Sequence, residues 1–182
     1  MHKFFIASLI ILLSFSAVGT AQDFEAPAAP EKIASWLDFA AYQIDNYKEF
    51  ALVEFYYAVL RHDLTFEDFD TTYEAGIQIW IEIFNESGAV VDTLGKVIAT
   101  RISDPTELTK RSFRVIDALQ ALMRPGIYSV KLTVEDINSR LDGEEFTGKY
   151  GERQIKVEIP DFSDQSKIQL STIELAHSIE ML

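Results

Sequence analysis

The side chains of this sequence that could do chemistry are few and scattered. Histidine occurs only at His2, His62 and His177. His62 stands beside Asp63, a fragment of a hydrolytic triad, but no G-x-S-x-G elbow supplies a nucleophile. Two distant histidines in a chain without cysteine make no zinc site unless several carboxylates join them. Acids crowd at Glu67, Asp68 and Asp70, and again at Asp142, Glu144 and Glu145 around Gly143. The first group lacks the alternating spacing of a calcium loop, and the second is too compressed. Neither spacing selects two carboxylates for glycoside hydrolysis, and no glycine pattern for phosphates is present. These residues predict no catalytic group, no metal and no cofactor. Asn85-Glu86-Ser87 has the form of a glycosylation acceptor, but it sits where a hairpin turns and reads as that turn.

Recognition remains as a chemistry, and aromatic side chains carry it. The candidate ligand-binding residues are Trp36, Trp80 and Phe84. Trp80 and Phe84 lie four residues apart in a segment of two-residue period, so they share one face. Left bare, that face would be a platform for a sugar or a protein. An exposed apolar patch is costly unless used, so the N-terminal segment or the C-terminal tail is expected to cover it.

Strand signals dominate the elements that must position these residues. In Tyr73–Phe84, "YEAGIQIWIEIF", Ala75, Ile77, Ile79, Ile81 and Ile83 alternate with Glu74, Gly76, Gln78, Trp80 and Glu82. The turn "NESG" at 85–88 returns the chain into 89–102 as the second arm of a hairpin. Residues 35–43 and 51–60 are further strands, 45–50 is a turn, and 64–68 is a short strand at best. The segment 110–123 is ambiguous, because Phe113, Val115, Leu119, Ala121 and Met123 alternate while "IDALQALM" consists of good helix formers. Tyr128, Val130, Leu132 and Val134 form an alternating row, expected to pack against a second sheet that includes the isoleucines of 77–83. The polar stretch 135–152 reads as a long loop before a last strand at 153–160. About seven short strands separated by turns predict an all-β fold, an immunoglobulin- or fibronectin III-like antiparallel sandwich. Pro125, Gly126 and Tyr128 are its most specific local pattern. Proline presets a turn, glycine supplies a positive φ, and a tyrosine at such a corner bonds back to upstream backbone.

The chain has 182 residues and opens on a leader pattern. Lys3 precedes an apolar run from Phe4 to Val18 and the small residues Gly19, Thr20 and Ala21, which predicts a signal peptide over 1–21. The run is short for a bilayer span, which needs about 20 apolar residues. Export to the periplasm or beyond follows, with 22–34 as a flexible N-terminus, 35–161 as the sandwich domain and 162–182 as a tail or the lead into a further domain. The tail is ambiguous. Ser171 with Glu174 could cap a helix, while Ile168-Gln169-Leu170 could be extended. An exported chain with no cysteine must be held by its own core. A formal charge of −13 with no basic stripe disfavours nucleic acid as a partner. Envelope proteins or further domains are the expected partners, and a glycan is the alternative.

Four segments occur in an order that resembles a known family: "VEFYYAVLRHDLTF" (53–66), "YEAGIQIWIEIFNESGAVVD" (73–92), "PGIYSVKLTVEDINS" (125–139) and "LSTIELAHSI" (170–179). Together they resemble the N-terminal region of the secreted GWxTD-domain proteins of Bacteroidetes and related bacteria. The Gly-Trp-x-Thr-Asp motif itself is absent from this chain. The resemblance implies an envelope or extracellular sandwich followed by more domains, with extended structure at "LSTIEL". It brings no catalytic residues. The reading that results is a non-catalytic module for protein interaction or spacing, with carbohydrate binding through the face near Trp80 as the alternative.

Overall fold

A computed structural model describes residues 32–44, 47–140 and 148–163. They form eight strands: β1 (Ser35–Gln43), β2 (Ala51–Leu60), β3 (Glu67–Phe69), β4 (Thr72–Phe84), β5 (Val90–Ile102), β6 (Arg114–Met123), β7 (Gly126–Asp136) and β8 (Tyr150–Ile159). Every strand pair is antiparallel. One sheet has three strands in the order β1-β2-β6. The other has five, with β4 flanked by β5 on one side and by β3 and then β7 on the other, and β8 beyond β7. The two sheets face each other as an immunoglobulin-like sandwich.

The two-residue rhythm decides which side chains are inside. Ile77, Ile79, Ile81 and Ile83 of β4 are fully buried, as are Val130, Leu132 and Val134 of β7. Facing them from the smaller sheet are Val53, Phe55, Tyr57 and Val59 of β2. Each buried aliphatic side chain contributes roughly 1.5–3 kcal/mol relative to exposure. A slip of one residue would turn a whole row to water.

Several boundaries differ from the sequence reading. The isoleucine row and the row of β7 are not opposed across the core. They are neighbours in one sheet, with Ile83 opposite Val130, Ile81 opposite Leu132 and Ile79 opposite Val134. Alternation fixes the face a side chain takes but not the strand beside it, hence the wrong partner. The ambiguous segment is extended. β6 pairs with β2 over its whole length, from Arg114–Leu60 to Met123–Ala51, so tertiary pairing overrides the helix propensity of "IDALQALM". β7 runs on to Asp136 into a short 3-10 turn over Ile137–Ser139, and β8 begins at Tyr150. Residues 32–34 belong to the fold rather than to a free N-terminus. Ile33 is buried, its N–H donates to the Tyr150 carbonyl at 2.7 Å, and Lys32 bridges Tyr150 in parallel sense. The predicted leader 1–21 and the tail from 164 lie outside the described residues, as do Asp142, Glu144 and Glu145.

Candidate interaction faces

The outer face of the three-stranded sheet is the less polar of the two. Register places Trp36, Ala58 and Ile116 in one row and Tyr42, Leu52 and Leu122 in another. Trp36 is 41 % exposed, Ile116 70 % and Leu122 56 %. A solvated face of an antiparallel sheet normally carries polar residues at these positions. Between the two rows lies a hydrogen-bonded cluster. The Glu54 carboxylate accepts from the Tyr56 hydroxyl and from Gln120 Nε2 (2.6 Å), and the Tyr42 and Tyr56 hydroxyls lie 3.2 Å apart. Its bond to Glu54 is the main cause holding the Tyr56 phenol protonated well above the ordinary tyrosine range. At the edge of the face the Arg114 guanidinium sits 4.5 Å from the Trp36 ring centre, a cation–π contact.

The outer face of the five-stranded sheet is different in kind. Trp80 is 39 % exposed, and the N-terminal stretch and C-terminal tail expected to cover its face lie largely outside the described residues. Trp80, Glu82, Thr93 and Thr133 line one hollow. Phe84 lines a larger open groove of about 570 Å³ with Ser129, Lys131, Gln154 and Lys156. Polar partners hold this groove, with Gln154 Nε2 donating to Ser129 Oγ at 2.7 Å and Lys131 paired with Glu152 at 2.5 Å. At a strand rise of about 3.4 Å per residue, Trp80 and Phe84 stand roughly 14 Å apart along β4. The structure therefore brings these two to one face and places Trp36 on the other side of the sandwich.

Gly95 is what lets the Trp80 ring lie down. A Cβ there would stand 2.5 Å from Cζ3 of the indole. Gly95→Ala is expected to lift the ring off β5, cost about 1–3 kcal/mol through overpacking, and raise acrylamide quenching of the Trp80 fluorescence in a Trp36→Phe background. Unchanged quenching and stability would contradict this packing.

Residues singled out in the sequence make hydrogen bonds that hold the fold. The Tyr128 hydroxyl donates to the Arg124 carbonyl at 3.0 Å, and Gly126, after Pro125, takes φ +152°, a backbone that favours glycine. This ties the end of β6 to the start of β7. His62 Nε2 lies 3.0 Å from Asp63, whose other carboxylate oxygen accepts from the Ala34 N–H at 2.8 Å. The pair thus anchors the strand leading into β1. Asn85 likewise holds the β4–β5 turn, its side-chain oxygen accepting from the N–H groups of Ser87 (3.1 Å) and Ala89 (3.0 Å).

Sequence reading missed the Tyr42–Tyr56–Glu54–Gln120 cluster, because its members come from three strands whose order no local pattern announces. It also missed Lys96 and Asp117. Both point inward on edge strands, Lys96 opposite Ile79 and Asp117 opposite Tyr57, and they pair with each other across the open side of the sandwich. Burial first, and then Asp117, pushes the Tyr57 phenol above its ordinary range. Among the described residues no group of three or more metal-ligating side chains is gathered.

No protein-family model matches this chain, and no curated protein does. Among solved structures it is similar to a calcium-binding mutant of β-glucuronidase 2 from Bacteroides uniformis, at 14 % identity and TM-score 0.44 over 68 % of this chain. It is also similar to a Bordetella pertussis protein designated ApaA, at 7 % identity and TM-score 0.40 over 72 % of this chain and 98 % of that one. The chain spans 13 % of the length of the glucuronidase.

Proposed function

We propose that this chain is a non-catalytic, exported sandwich module of the bacterial envelope that binds a protein partner. The observation that carries the reading is the outer face of β1-β2-β6. There Trp36, Ile116 and Leu122 stand exposed on a regular sheet surface. Exposed aromatic and aliphatic side chains around a small polar centre are the make-up of a protein-binding patch. Glu54 at that centre asks for a partner that brings a hydrogen-bond donor or a cation among apolar side chains. The best-placed histidine is engaged with Asp63 as a strand anchor, which also favours a binding role.

The test is a photo-crosslinking residue at position 116, compared with one at Val97, which is 64 % exposed on the other sheet. In the native envelope, position 116 is expected to give a discrete protein adduct that position 97 does not give and that Leu122→Asp removes. The same adducts from both positions would end the reading.

Carbohydrate binding stands as a second reading because the Trp80–Phe84 face mixes its aromatics with Glu82, Thr93, Thr133, Lys131 and Gln154. Hydrogen-bonding groups around ring faces suit sugars better than they suit an apolar protein surface. A glycan that shifts Trp80 emission in a Trp36→Phe background would support it. Silence across a glycan array would remove it.

A further inference from the structure

We infer that the partner of the β1-β2-β6 face lays an acidic segment on a cationic corner made by Arg61, Lys110, Arg111 and Arg114, an inference that rests on the protein-binding reading above. The chain has 16 lysines and arginines against 29 acids, and the topology gathers these four at one end of the smaller sheet. β2 and β6 finish side by side, with Leu60 opposite Arg114. One step further, the Arg61 N–H donates to the Phe113 carbonyl at 3.0 Å. Lys110 and Arg111 lie in the turn that enters β6. Lys110, Arg111 and Arg114 are exposed, and Arg61 is half-buried.

Aromatic rings seat these cations. The Arg61 guanidinium lies 5.9 Å and the Lys110 ammonium 5.1 Å from the centre of the Phe113 ring. Arg114 sits over Trp36. A guanidinium resting on a ring can still offer the N–H fork that suits a carboxylate. The Arg61 Nε is buried and has no hydrogen-bond partner among the described residues. A guanidinium partly out of water attracts a carboxylate more strongly than one fully in it, since water screens the charge less. The acids near these cations accept from backbone N–H groups. Asp63 accepts from Ala34 at 2.8 Å, Asp104 from Thr106 at 2.8 Å and Glu107 from Ser103 at 3.4 Å.

Charge complementarity selects the occupant. The corner is continuous with the apolar face, because the ring under Arg114 is Trp36, which shares a row with Ile116. Glu54 lies opposite Gln120, six residues along β6 from Arg114. The negative centre of the face and its positive end therefore stand roughly 20 Å apart along the strands. A protein segment fits in one direction, with carboxylates at the corner, apolar side chains on Trp36 and Ile116, and a donor or cation at Glu54. Reversed, it sets like charges against each other at both places, which disfavours the wrong orientation. An anionic lipid surface fits less well, because Asp38 and Glu54 share the face with the corner and would meet its headgroups.

Fluorescence anisotropy of two labelled peptides on the full-length protein tests this. Both peptides share a half rich in tryptophan and leucine, followed by glutamates in one and by lysines in the other. The glutamate peptide is expected to bind about tenfold more tightly. Lys110→Glu combined with Arg111→Glu should weaken it about tenfold, whereas Arg153→Glu, exposed on β8 of the other sheet, should not. Equal binding of the two peptides, preference for the lysine peptide, or a double reversal without effect would overturn the inference. So would binding to phosphatidylglycerol vesicles with neither peptide bound, which would put a membrane in place of the protein. The crosslink from position 116 separates this inference from the reading beneath it. A yield that falls about tenfold in the double reversal supports both. An adduct kept at full yield overturns the acidic partner and leaves the face standing, and no adduct in the native chain overturns both.

Discussion

Phe55→Ala is expected to remove about 3–5 kcal/mol of stability, against a total of about 5–15 kcal/mol for a domain. Phe55 sits at the middle of β2, the central strand of the smaller sheet, and is fully buried. It lies between Phe39 of β1 and Leu119 of β6, which hold the same register position on either side. Across the core it meets the aliphatic rows of β4 and β7. Truncation takes away the burial of the ring and leaves a void that strands paired on both flanks cannot close. Phe69, exposed on the short strand β3, is the matched control, and Phe69→Ala should change stability by less than about 0.5 kcal/mol. Urea melts of both variants read the difference. A Phe55→Ala midpoint close to that of the native protein would mean that the two sheets are not packed as described.

The same packing explains what the sequence could and could not disclose. Alternation over 73–84 and 128–134 announces strands and their inward faces, since side-chain direction is set by the chain itself. Ile79 and Leu132 are indeed inside. Which strands lie side by side depends on long-range pairing, so Ile81 and Leu132 are neighbours where opposition was expected. "IDALQALM" shows the limit of propensity, because a strand paired with β2 over ten positions outweighs a few tenths of a kcal/mol per residue favouring helix. The three aromatic candidates were legible by type, but their division between two faces was not. That division follows from the order β1-β2-β6 against β4-β7-β8. The aliphatic residues that make the Trp36 face unusual, Ile116 and Leu122, lie in the segment whose conformation was undecided, and so their direction could not be read.

Asp136→Ala is the other substitution expected to cost most, about 3 kcal/mol, because a buried carboxylate that accepts backbone hydrogen bonds contributes roughly 1.5–3 kcal/mol for each. Asp136 closes β7 opposite Ile77 and is fully buried. Its side chain accepts from the Thr65 N–H at 2.7 Å and from the Asn138 N–H at 3.2 Å. The second bond fixes the short turn that follows β7, and the turn in turn positions the Asn138 side chain. Asn138 donates to the Glu74 carbonyl at 2.9 Å and accepts from the Gly76 N–H at 3.3 Å. In this way an amide side chain fills the gap on the flank of β4 between the end of β3 and the start of β7, where no strand reaches. Gly76 is part of the arrangement, since a Cβ there would stand 3.3 Å from both Asn138 Oδ1 and Ile137 Cβ. Alanine at position 136 takes the acceptor from the half-buried Thr65 N–H and releases the turn. Asp136→Asn keeps one acceptor oxygen and should lose about half as much. Asn138→Ala should cost about 1 kcal/mol through the two bonds to β4. Urea midpoints are expected to rise from Asp136→Ala through Asp136→Asn to Asn138→Ala. Equal losses for the two substitutions at position 136 would mean that the acceptor oxygens of Asp136 do not hold this corner.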